Sequence, residues 1–139
     1  MIDIFKDTAA AQGVEIEFMC DLPDLLLMVD KMRVQQIVIN LLSNAIKFSN
    51  KGDVIKIEIA EPIKSGLNKQ TYAIRVTDQG IGLSEKDRNR LFKPYFKSLS
   101  IRNNEKNKNS HGLGLSISKR IAQGLNGDLY LSEEYKSGC

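Results

Sequence analysis

One histidine, His111, and two cysteines, Cys20 and Cys139, are all that this chain of 139 residues holds of those types. A single imidazole excludes chemistry that needs two within the chain. Two cysteines, one of them at the very end, form neither a metal-ligand cluster nor a disulfide framework, which suits a reducing compartment and a cytoplasmic location. No apolar run approaches the roughly 18 residues of a membrane span. The opening MIDIFKDTAA lacks the basic start and apolar stretch of a secretory signal. Excess charge is also scarce: 20 basic against 17 acidic residues leave +3, too little to mark a nucleic-acid binder. What surplus there is sits between residues 93 and 108, where Lys93, Lys97, Arg102, Lys106 and Lys108 face only Glu105. Such a segment is either a solvated loop or a surface for phosphates or an acidic partner. Length and a 42% hydrophobic content predict one soluble globular domain, 1–139, with no internal repeat.

The apolar spacing changes period along the chain. Ile2, Phe5, Ala9 and Gln12 recur at helical intervals and Gly13 supplies a stop. Val14, Ile16 and Phe18 alternate as in a half-buried strand, and the run at 25–29 predicts another. From Lys31 to Phe48 the residues Val34, Ile37, Val38, Leu41, Leu42, Ala45 and Ile46 follow the helical repeat, with Asp30 as N-cap. Strands are predicted over 53–60 and 71–78, joined by a hairpin loop at 63–69. A short helix capped by Ser84 follows, then a polar, asparagine- and lysine-rich loop at 98–110, a helix from about Gly112 to Gly124, and a last strand at 127–133. These elements predict an α+β two-layer sandwich: a mixed, mostly antiparallel sheet with helices on one face.

Several polar groups fit a ligand site. Asn40 and Asn44 lie one turn apart on the long helix, and Lys47 follows three residues later. An amide oxygen suits magnesium and an ammonium suits phosphate, although amides on a helix flank also cap backbone groups. Asp78 ends a strand and runs into Gly80 and Gly82. A carboxylate there either accepts from a ligand amine or starts a turn, while the glycines admit a flat ligand close to the backbone. His111–Ser116 sets Gly112 and Gly114 at a helix start, where unpaired N–H groups and the helix dipole favour an anion.

In order, the chain reads NLLSNAIKF (40–48), DQGIGLS (78–84), LFKPYF (91–96) and HGLGLSIS (111–118). This series resembles the N box, first glycine box, F box and second glycine box of the catalytic, ATP-binding domain of sensor histidine kinases. That superfamily is shared with gyrase, heat-shock chaperone and mismatch-repair ATPases. The resemblance runs from about Ile2 to Ser132. It implies the Bergerat-type fold and the cofactors ATP and Mg2+. It implies that Asn44 ligates magnesium beside Asn40, that Lys47 meets a phosphate, and that Phe48 lies against adenine. Asp78 would accept from the adenine amine, with Gly80, Gly82 and Leu83 along the base. Tyr95 and Phe96 close the F box, and Lys97 occupies the place of a basic residue aimed at the γ-phosphate. Residues 97–110 would form the ATP lid, and Gly112, Leu113, Gly114 and Leu115 the phosphate cradle. His111 is either a plain loop histidine or a phosphate contact.

The chain departs from the family's pattern at Ser110, where the second glycine box usually carries a further glycine, and at its end, where a final sheet strand is expected after Gly138. A third position selects among relatives. Hydrolysing members carry a glutamate one turn before the magnesium-binding asparagine, and that place is Asn40, whose amide cannot take a proton from water. The resemblance therefore implies a donor of the γ-phosphoryl group to a histidine on a separate dimerisation domain, and onward transfer to a response-regulator receiver domain. The expected domain is monomeric and cytoplasmic, either by itself or as the cytoplasmic part of a membrane-bound sensor, with no direct membrane contact in this segment, and does not phosphorylate itself. The alternatives are a nucleotide-binding module without catalysis and a serine kinase of the same superfamily.

Overall fold

The computed structural model describes residues 2–20, 22, 26–60, 72–97 and 111–132. Its elements run α1 (Ile2–Ala11), β1 (Glu15–Cys20), α2 (Lys31–Phe48), β2 (Val54–Ala60), β3 (Ala73–Thr77), α3 (Glu85–Arg88) and α4 (Gly114–Gly124). Local chemistry sets several boundaries. Gly13 at φ +70° ends α1, and the Val14 N–H returns to the Ala9 carbonyl at 2.9 Å. Asp30 starts α2 by accepting from the Arg33 N–H at 3.1 Å. Ser84 does the same for α3 through the Asp87 N–H at 3.2 Å.

The three strands lie in the order β1-β2-β3. β1 and β2 are parallel, so α2 serves as their crossover, and Ile16 and Phe18 stand opposite Ile55 and Ile57. β2 and β3 are antiparallel, with Ile57 opposite Val76 and Ile59 opposite Ile74. Alternation puts this apolar set on one face of the sheet. There α1 supplies Ala9, α2 supplies Val38, Leu42, Ala45 and Ile46, and β2 supplies Ile55 and Ile57 to a single core. The opposite face carries charge, with Lys56 and Glu17 at 3.7 Å and Arg75 and Glu58 at 3.9 Å. The result is the two-layer α/β arrangement: a mixed sheet with helices on its apolar side.

Four expectations change. Residues 26–29 form no strand; Leu26 and Met28 are wholly exposed, because an apolar run without a period of two has no face to bury. At 127–132 the alternation is present, with Leu129 and Leu131 half-buried and Tyr130 exposed, but no ladder forms among the described residues. Instead the Leu129 carbonyl accepts from the Lys119 ammonium at 2.8 Å. The predicted strand at 71–78 shortens to Ala73–Thr77, and the last helix begins at Gly114. The hairpin loop at 63–69 and the loop at 98–110 lie outside the described residues. No helix among the described residues is long and apolar enough to cross a membrane.

Candidate functional site

Because α2 buries Val38, Leu42, Ala45 and Ile46, its adjoining flank leaves Asn40, Asn44, Lys47 and Phe48 half-buried. Three other segments converge on that flank. The first is the turn after β3. Asp78 is buried, and its Oδ1 accepts from the Gly80 N–H at 2.9 Å, so the turn-forming role is realised there. A Cβ on Gly80 would stand 2.5 Å from the Phe48 carbonyl oxygen, which shows how closely the turn abuts the end of α2. Gln79 fastens it from the other side, accepting from the Val54 N–H at 2.9 Å. Gly82 takes φ +67°, a conformation that side chains disfavour. Leu83 is half-buried beside it, its carbonyl accepting from Arg88 Nε at 3.5 Å.

The second segment is 91–97. The Lys119 ammonium lies 4.8 Å from the centroid of Phe92, and the Arg90 guanidinium 5.5 Å from that of Phe96. Tyr95 sits at φ 60° and is 75% exposed, so it lines no enclosed pocket by itself. Gly112 packs on this backbone: its Cβ would meet the Phe96 carbonyl oxygen at 2.5 Å and the Tyr95 carbonyl carbon at 2.9 Å. The two flanks of the 98–110 segment are thereby held together.

The third segment is the start of α4. Its N-cap, Leu113, supplies no side-chain acceptor, and a helix start of this kind favours an anion. Gly114 has no room for a Cβ because the Asn40 carboxamide occupies that space. The same carboxamide donates from Nδ2 to Ser118 Oγ at 2.9 Å. Leu115 is half-buried, and His111 is exposed.

Charge completes the picture. The Lys47 ammonium lies 4.9 Å from the centroid of the Phe48 ring. Burial holds its pKa below the ordinary lysine value, and the positive charge of Lys97 lowers it further. Two cations in mutual repulsion beside an uncapped helix start make a place that favours a polyanion. Among the described residues no group of three or more His, Cys, Asp or Glu could cage a metal ion. Asn44 offers on the same flank an amide oxygen, a neutral hard donor of the kind that suits magnesium.

Residues 29–139 match the profile of the family described as Histidine kinase-, DNA gyrase B-, and HSP90-like ATPase. The chain belongs to that family. It is 36% identical over 110 residues to the autoinducer 2 sensor kinase/phosphatase LuxQ of Vibrio cholerae, covering 78% of this chain and 12% of that protein. It is 34% identical over 133 residues to the virulence sensor protein BvgS of Bordetella pertussis, covering 94% of this chain and 10% of that protein. The chain thus spans about a tenth of the length of these curated relatives. Its fold matches the catalytic domain of histidine kinase ThkA with a TM-score of 0.77 at 23% identity, over 98% of this chain and 82% of that one. It is an ATP-binding domain of the kind that sensor histidine kinases carry.

Four groupings bring candidates together: Asn40 with Gly114, Phe48 and Asp78 with Gly80, Lys47 with the Phe48 ring and the charge of Lys97, and the Tyr95–Phe96 backbone with Gly112; Asn44, Gly82, Leu83, Leu113 and Leu115 enter none of the four. His111 and the Tyr95 side chain stand apart from them. Sequence reasoning missed Ser118, Lys119 and Arg90. The signal for Ser118 is its spacing: four residues after Gly114, it lies on the same face of α4 one turn on.

Proposed function

We propose that this domain binds magnesium ATP and gives its γ-phosphoryl group to a histidine on a separate dimerisation domain, from which a response-regulator receiver domain takes it. The observation that supports this reading is the convergence on one flank of α2 of two amides, two repelling lysines and an uncapped helix start, beside a turn packed against Phe48.

In this account Asp78 accepts a hydrogen bond from the adenine amine, and Phe48 with Leu83 covers the base. Gly80 and Gly82 let the backbone approach it. Asn44 holds the magnesium, and Lys47, Lys97 and the N–H groups at Gly114–Ser116 meet phosphates. Bound magnesium neutralises charge on the phosphate oxygens. Residues 97–110 form a lid over the nucleotide, with Tyr95 and Phe96 at its base. Asn40 offers no base for water, so the site presents the terminal phosphoryl group without hydrolysing it. Catalysis is then positioning and charge stabilisation. The neutral imidazole nitrogen of the acceptor forms the P–N bond as the bond to the β,γ-bridging oxygen breaks, and ADP leaves. His111, at the mouth of the phosphate cradle, approaches from the side of the phosphate chain and is no acceptor.

Calorimetric titration with ATP, with and without magnesium, tests the binding half of this account. Micromolar or weaker affinity is expected, because holding the phosphates immobilises long side chains such as those of Lys47 and Lys97. Asn44→Ala should keep the fold and lose the magnesium-dependent part of the affinity. Equal magnesium dependence in variant and parent would refute the assignment.

A further inference from the structure

We infer that Ser118 is a positioning residue for the phosphate end of the nucleotide, acting through Asn40; the inference rests on the function proposed above. Ser118 is 1% exposed, and a hydroxyl so deeply placed needs a partner. Its partner is Asn40 Nδ2 at 2.9 Å, and the two residues stand 78 apart in sequence. The Asn40 carboxamide is seated across one turn of α4, with Gly114 at one edge and Ser118 at the other. On α2, Asn40 lies one turn before Asn44. One carboxamide therefore joins the turn that carries the magnesium ligand to the uncapped start of the helix whose N–H groups face phosphate.

This gives Asn40 a defined task in place of the base that hydrolysing relatives carry. Its amide nitrogen is committed to Ser118 and its oxygen is packed at Gly114, so it serves as a clasp between α2 and α4. The clasp acts at one end of the site only. Phe48, with the Asp78–Gly80 turn against it, lies eight residues further along α2, roughly 12 Å at 1.5 Å per residue. Loss of the clasp should loosen the phosphate end and leave the base end alone. It should also leave α4 folded, because Lys119 ties that helix to Asp128 at 3.1 Å, to the Leu129 carbonyl at 2.8 Å and to the Phe92 ring.

The test compares affinities for magnesium ATP and for adenosine in the parent domain, Ser118→Ala, Ser118→Thr, Asn40→Ala and the Asn40→Ala/Ser118→Ala double variant. In parallel, exchange of the Asn40 side-chain amide protons is followed by nuclear magnetic resonance without nucleotide. Ser118→Ala should lower the preference for ATP over adenosine by about three- to tenfold, the worth of one hydrogen bond. Adenosine affinity should stay unchanged and the Asn40 amide protons should exchange faster. Ser118→Thr, which keeps the hydroxyl, should restore the preference. The double variant should be no weaker than Asn40→Ala alone, a cycle that reads the coupling without an added methyl group. Equal losses for ATP and adenosine, an undiminished preference in Ser118→Ala, or additive losses in the double variant would each overturn the inference while leaving the proposed function standing. A parent with no preference for ATP over adenosine would overturn both.

Discussion

Gly114→Ala places a methyl group where the Asn40 carboxamide now lies, and its cost follows from that overlap. The carboxamide must swing away, which breaks its hydrogen bond to Ser118 and leaves a 1% exposed hydroxyl without that donor. Stranding a buried polar group costs about 1–3 kcal/mol. The better helix propensity of alanine offsets this by up to about 1 kcal/mol. A net loss of about 1–2 kcal/mol lowers the melting temperature by roughly 3–7 °C for a domain of this size. Gly124, at the other end of the same helix, is the matched control, since no described residue lies within 4 Å of where its Cβ would stand. Gly124→Ala should leave stability unchanged or raise it by up to about 1 kcal/mol. Thermal unfolding followed by circular dichroism measures both. Equal stability of the two variants would refute the close approach of α4 to Asn40.

Asp78 should make the site prefer adenine, because a carboxylate accepts from the adenine amine and opposes the guanine carbonyl. A hydrogen bond to a charged group is worth about 1.5–3 kcal/mol, so competition against a fluorescent nucleotide should favour ATP over GTP by about tenfold to a hundredfold. Asp78→Asn should shrink that margin, and equal competition in the parent would contradict the role. Lys47 predicts a pH dependence: its folded pKa is lowered, first by burial and then by Lys97, while the unfolded chain keeps a value of about 10.4. Between the two values the unfolded state binds more protons, so stability should climb with pH through the alkaline range and level off above the unfolded value. Lys97→Gln should raise the Lys47 pKa, reduce that climb and weaken ATP binding. A Lys47 titration indifferent to residue 97, read from its side-chain resonance, would show that the two ammonium groups do not share one space.

What the sequence discloses depends on how far apart the interacting groups lie along it. The caps at Asp30 and Ser84 and the stop at Gly13 are settled within three or four residues, and all three are legible. The long helix is legible because its apolar period persists over eighteen residues. The run at 25–29 misleads because apolarity without a period does not distinguish a strand from an exposed connection. At 127–132 the alternation correctly marks which side chains turn inward, yet a ladder needs a distant partner that alternation cannot name. In the candidate site, residue types and box order bring forward Asn40, Asn44, Lys47 and Asp78. The clasp between Asn40 and Ser118 is a contact between two helices and stays hidden until they are placed side by side. Lys119 is hidden for the same reason, since its contacts to Phe92 and Asp128 belong to three separate segments.

The central claim is that this domain donates a phosphoryl group to an acceptor outside itself. The most direct measurement incubates it with radiolabelled magnesium ATP, alone and with separately produced histidine-bearing dimerisation domains of sensor kinases that share these boxes. The account predicts no label on the domain alone, acid-labile label on a matching acceptor when the domain is present, and loss of that label in Asn44→Ala. Acid-labile label on the isolated domain that disappears in His111→Gln at unchanged ATP affinity would contradict it, as would acid-stable label on the acceptor.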